Sequence, residues 1–192
     1  LTFLLALTFL FLFSGSSVVF GDDFQDGLDA AQRQDYKTAH RLWLPLAEQG
    51  DAVAQFNLGV MYDKGLGVQE DYKEAFKWFR LSAEQGNAEA QYNLGLLYDN
   101  GDGVPQDDKE AVKWYRLSAE QGLAIAQKNL GAMYYDGQGV PQDYVSAHMW
   151  WNICGSGGDE GCVKNRNIVE KRMTPSQIEE AQRLARNWKQ KK

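Results

Sequence analysis

Cysteine and histidine are the side chains best suited to chemistry here, and each occurs only twice: Cys154 and Cys162, His40 and His148. Two cysteines cannot by themselves complete a four-cysteine zinc site. The histidines stand 108 positions apart, with no phased cysteine or carboxylate to make a triad or a metal set. They read as helix-surface or packing residues. The Gly-x-Gly runs at 65–67, 101–103 and 137–139 invite a phosphate-loop reading, but they follow helical patterns, not strands. No Gly-Lys-Ser/Thr or third phased glycine accompanies them, so they read as turns. Asp99-Asn100-Gly101-Asp102-Gly103 has the flavour of a calcium loop. With Gly103 at the sixth position, however, Tyr98 and Lys109 fall where acidic ligands are required, and the EF-hand reading fails. Ser-x-x-Lys, Ser-Asp-Asn and Lys-Thr-Gly are all absent, which removes the usual acyl-serine machinery. No catalytic residue, metal or cofactor is expected.

Composition agrees. The chain has 192 residues, 44% hydrophobic and 24% charged, with a net charge of −6. That is globular rather than disordered, and too acidic for nucleic acid to be the main partner. Leu1–Phe13 is a different regime: it carries no charge and is followed by Ser14-Gly15-Ser16-Ser17 and Val18-Val19-Phe20-Gly21. It reads as the apolar and cleavage regions of a secretory signal peptide, cut after Gly21, and is too short for a membrane span of about 20 apolar residues. A periplasmic or secreted protein with no stable membrane anchor is expected.

The elements that position everything else are repeats. Gly50, Gly86, Gly122 and Gly158 recur every 36 residues. In phase with them are Leu58-Gly59, Leu94-Gly95 and Leu130-Gly131, then Tyr62, Tyr98 and Tyr134, Ala75, Ala111 and Ala147, and Trp78, Trp114 and Trp150. A fixed period of this size means a solenoid whose units bury their apolar faces against neighbours. Each unit reads as two helices. The first runs from Ala52 to about Asp63 and ends at a glycine; the second opens at Asp71, with Glu74 in the capping-box position, and stops at Gly86. No segment alternates with period two, so no sheet is expected. The organisation is a signal peptide at 1–21, an N-terminal half-repeat or cap at 22–49 with a short first helix over Asp23–Arg33 and an apolar pattern interrupted by Pro45, three full repeats over 50–157, and a divergent repeat with a capping helix over 158–192. In the last block Arg166-Asn167 and Glu170 replace the Leu-Gly and Tyr landmarks, and Thr174-Pro175-Ser176-Gln177 opens a final helix. That block holds nine basic and five acidic residues. Its lysines are expected to favour the last helix's own C-terminus, or to make weak contact with the cell envelope.

The pattern Ala-x-x-x-Leu-Gly-x-x-Tyr-x-x-Gly-x-Gly-Val-x-x-Asp-x-x-x-Ala-x-x-Trp resembles the Sel-one-like repeat (SLR) family, a branch of the tetratricopeptide (TPR) superfamily. The resemblance implies an all-α fold, a right-handed α-solenoid of stacked helix-turn-helix units, serving as a non-catalytic scaffold for another protein or peptide segment. Some relatives, the helical cysteine-rich proteins, are associated with binding or hydrolysing β-lactams; that enzyme alternative rests on resemblance alone. Cys154 and Cys162 replace the phased Ser82/Ser118 and Ala54/Ala90/Ala126 across one inter-repeat turn. The same relatives use a similar eight-residue spacing, so a disulfide is expected in an oxidising compartment.

A binding face follows from comparing the repeats with one another. Positions 53, 56, 60 and 63 vary, and their spacing puts them on one helical stripe. They carry Val53, Phe56, Val60 and Asp63; then Glu89, Tyr92, Leu96 and Asp99; then Ile125, Lys128, Ala132 and Tyr135. In tetratricopeptide relatives the matching first-helix positions line a concave groove. The resemblance therefore implies that these residues, with their aromatic rings exposed, hold an apolar segment, and that Asp63 and Asp99 favour basic residues on it.

Overall fold

The computed structural model describes residues 19–191, with side chains from residue 23 onward. Of the expected signal peptide at 1–21, residues 1–18 lie outside the described residues and 19–21 belong to the first helix. Those described form ten α-helices and no strand: α1 (Val19–Gln32), α2 (Tyr36–Glu48), α3 (Ala52–Lys64), α4 (Tyr72–Glu84), α5 (Ala88–Asn100), α6 (Asp108–Glu120), α7 (Ala124–Asp136), α8 (Tyr144–Ser156), α9 (Glu160–Glu170) and α10 (Pro175–Asn187). The α-solenoid expected from the sequence is the fold. Consecutive helices from α1 to α9 pack against one another along the chain, and α3 also meets α5 directly, more than α4 meets α6.

Local chemistry sets each boundary. Asp71, Asp107 and Asp143 cap second helices by accepting from two backbone N–H groups each. Glu74 and Glu110 do not return the bond that would complete a capping box; they pair with Lys77 and Lys113 instead. The full box forms at Thr174–Gln177. First helices end on Gly65, Gly101 and Gly137 in the left-handed conformation, which only glycine adopts without cost. The second glycine of each run has another task. A Cβ on Gly67 would lie 2.6 Å from the Tyr36 carbonyl carbon, and one on Gly103 2.5 Å from that of Tyr72. Each loop thus lies flat on the start of the preceding repeat's second helix.

Two features tie the layers together. Gly59, Gly95 and Gly131 leave room for the rings of Phe79, Tyr115 and Trp151, and Gly27 does the same for Trp43. The buried amides of Gln55, Gln91 and Gln127 donate to the carbonyls of Ala47, Ala83 and Ala119 at 3.0, 3.1 and 3.1 Å. Those carbonyls belong to the last turn of the preceding second helix and also accept from the backbone N–H groups of Gly50, Gly86 and Gly122. The recurring glutamine is an inter-repeat clamp.

Three features set the ends apart. The N-terminal unit is a helix pair, with α1 where a short first helix over Asp23–Arg33 is expected, closed by a short turn in which Gln34 takes φ 63°. Pro45 does not interrupt α2; it sits exposed near the end of the helix, which runs through it to Glu48. At the other end, α10 packs on α8 instead of α9. Trp188 meets Trp150 edge-on at 6.2 Å, and Lys191 pairs with Glu120 at 2.7 Å. Lys191 is thereby pinned to α6 and not to its own helix terminus.

Candidate protein-binding face

Each stripe residue sits on a first helix, with a second helix behind it. Val53 and Ile125 stand 47% and 40% exposed at equivalent positions, and Glu89 between them is exposed as well. These two are among the four large apolar side chains left open among the described residues. The aromatic positions differ from the sequence reading. Phe56 and Tyr92 are half-buried, their rings 6.0 and 5.8 Å from Phe79 and Tyr115, which fill the seats over Gly59 and Gly95. Both pack against the core, so truncating them would also unsettle it. Val60 and Leu96 are likewise partly packed against the core.

The carboxylates are held in place. Asp99 accepts a 3.0 Å hydrogen bond from the hydroxyl of fully buried Tyr115, whose phenol burial pushes far above its ordinary range. Asp63 is raised above the usual carboxylate range, mainly by burial, with Asp102 and Glu70 adding repulsion and Lys64 opposing it. Farther along, Lys128 lies 3.7 Å from Asp159. Ala132 is half-buried in the layer around Trp151. Tyr135 is locked between Tyr144 and Trp151, ring centroids 5.5 and 5.6 Å away, with the Arg172 guanidinium 5.1 Å above it. Its part in the stripe is therefore mainly packing.

Sequence comparison missed a fourth row. Advancing 36 positions onto α9 gives Gly161, Lys164, Ile168 and Lys171. Ile168 is 42% exposed, and an open pocket of about 520 Å³ is lined by Glu160, Val163, Lys164, Asn167, Ile168 and Lys171. The signal was present in the period itself, but the altered landmarks at 166–167 and 170 hid it.

Cys154 and Cys162 are bonded to each other across the turn after α8, with Cα atoms 5.9 Å apart and both side chains buried. Together with Asp159 they are the group close enough to hold a metal among the described residues, but the disulfide takes both sulfurs. The histidines are corrected in one respect. His148 does have a carboxylate partner: its ring is fully buried and its Nε2 lies 2.8 Å from Glu170 Oε1. Glu170 occupies the repeat position of Tyr62, and Tyr62 Oη in turn lies 3.3 Å from His40 Nε2. Both pairs join a second helix to the next first helix; the partner of His40 is a phenol and that of His148 a carboxylate, and among the described residues no serine, threonine or cysteine is bonded to either imidazole. Their role is packing, and burial lowers the pKa of His40.

A family model described as Sel1 repeat matches residues 24–51, 52–87, 88–123 and 124–159. Among solved structures, a Sel1 repeat protein from Oxalobacter formigenes is 34% identical, with a TM-score of 0.72, over 76% of this chain and 60% of that one. A protective antigen of uropathogenic Escherichia coli strains, described as displaying an SLR fold, is 30% identical with a TM-score of 0.62, over 88% of this chain and 45% of that one. The chain thus spans 60% or less of the length of these two proteins. No curated relative matches it. No described helix is long and apolar enough to cross a membrane.

Proposed function

Because the chain belongs to the Sel1 repeat family, whose repeats generally serve as protein-binding scaffolds, we propose that it is an exported, non-catalytic adaptor that binds another protein along its first helices. The observation that carries this reading is Val53 and Ile125: large, apolar, exposed, and two repeats apart in register on the same face. A row of apolar anchors rimmed by charge is what a peptide-binding surface needs. Export is supported by the signal-like segment and by a buried disulfide, which persists in oxidising compartments.

The test is a Val53→Asp/Ile125→Asp variant. Both side chains are exposed, so the melting temperature should stay within the small range typical of surface substitutions. Proteins retained by the immobilised wild type from an envelope extract should be lost from the variant. An unchanged set of retained proteins would refute the assignment of this face.

A further inference from the structure

The α9 row makes the face electrically polarised, and from this we propose that the bound partner is a protein segment of opposite polarity. Its basic residues lie over α3 and α5, and its acidic residues, flanking one apolar side chain, lie at the α9 pocket. The inference rests on the reading of the first-helix face as the binding surface. Its basis is the order of charges along four rows. Asp63 on α3, then Glu89 and Asp99 on α5, give way to Lys128 on α7, to Lys164 on α9 and to Lys171, which caps the C-terminus of α9.

The surroundings reinforce both ends. Asp102 lies near enough to Asp63 to raise its pKa. At the other end Arg172 follows Lys171 directly, and the Lys128 ammonium lies beside Gly161, one turn from Lys164. Gly161 leaves the space that this ammonium fills. Three carboxylates face the basic end, Asp159 near Lys128, Asp136 near Arg172 and Glu160 in the pocket wall, and Lys164 and Lys171 outnumber the last. Val163 and Ile168 supply an apolar floor between the two lysines. A carboxylate held there is partly shielded from water, which strengthens its attraction to the ammonium groups.

A further helix of repeat type does not fit as the occupant. In the three preceding units, the second helix seats its aromatic ring over Gly59, Gly95 or Gly131; here Asn167 holds that position. α10, the helix next in sequence, is already drawn onto α8. The pocket stays open to an extended chain. Three steps of roughly 10 Å between packed helices are spanned by about nine extended residues at ~3.3 Å each.

The experiment uses two fluorescein-labelled 12-residue peptides of identical composition: one with two lysines, a leucine-rich centre and two glutamates in that order, the other with its charges shuffled. Fluorescence anisotropy at low salt should show the ordered peptide binding about fivefold tighter or more, with the gap closing in high salt as charge is screened. Lys164→Glu/Lys171→Glu should abolish or invert that preference, while Lys37→Glu/Lys73→Glu, on the outer face of α2 and α4, should leave it intact. Equal binding of the two peptides, still sensitive to Val53→Asp/Ile125→Asp, would overturn the polarity and spare the face. Peptide binding that ignores Val53→Asp/Ile125→Asp would overturn the face itself. Capture of anionic phospholipid vesicles through Lys164 and Lys171, with neither peptide bound, would overturn the protein partner.

Discussion

Returning Cys154 and Cys162 to the residues their repeat positions carry elsewhere, as Cys154→Ser/Cys162→Ala, measures what the disulfide contributes over the ordinary repeat junction. Closing a loop of this length, with the cysteines eight positions apart, stabilises by about 2.6 kcal/mol in the chain-entropy treatment. The reversion recovers part of that. Ser82 and Ser118 donate to the carbonyls of Ala52 and Ala88 at 2.6 and 2.7 Å, and a serine at 154 would reach the carbonyl of Ala124 in the same way. A bond of this kind contributes about 1 kcal/mol net. Alanine at 162 repeats Ala54, Ala90 and Ala126, all fully buried as Cys162 is, so little void follows. The expected net loss is about 1.5 kcal/mol, or roughly 3–6 °C in melting temperature for a chain of this size. Reductant added to the wild type should cost more than the reversion does, because the freed thiols make no serine-like bond. Urea unfolding followed by circular dichroism at 222 nm reads both. A reversion variant at least as stable as the oxidised wild type would refute the reasoning, as would a wild-type midpoint indifferent to reductant.

Gly59→Ala gains about 1 kcal/mol of helix propensity but places a Cβ 2.5 Å from Cδ1 of Phe79, a ring only 1% exposed. Overpacking should win by up to about 2 kcal/mol, and Phe79→Leu in the same chain should recover part of the loss in a chemical-denaturation cycle. Asp63→Asn tests the raised carboxyl: burial and nearby carboxylates lift its folded pKa above 3.8, so the native state binds the proton at higher pH than the unfolded chain does. Stability from this group is therefore lost as pH rises from 3.8 through the folded value. The variant should melt higher than wild type at pH 7, and its advantage should vanish below pH 3.8; an advantage independent of pH would count against this account.

The period of 36 made the solenoid legible, because landmark residues recur wherever layers must repeat. What those landmarks do was less legible. Gln55, Gln91 and Gln127 recur in phase, but their side chains bond carbonyls of the preceding helix, a partner that no local pattern names. Variation between repeats located the stripe but did not report burial. Phe56 and Tyr92 vary because they cover rings that themselves vary, Phe79 and Tyr115. Pro45 interrupts the apolar pattern locally, whereas packing of Trp43, Leu46 and Ala47 holds the helix through it. The α9 row and the His148–Glu170 pair were both within reach of the period, since Ile168 and Glu170 sit in register with Val60 and Tyr62.

The most direct test of the central claim is hydrogen–deuterium exchange on the full chain, alone and bound to a protein it retains. The account predicts added protection along the outward stripe of α3, α5, α7 and α9, with the second helices α2, α4 and α6 unchanged. Protection gathered on the second helices, with the first-helix stripe unaffected, would contradict it.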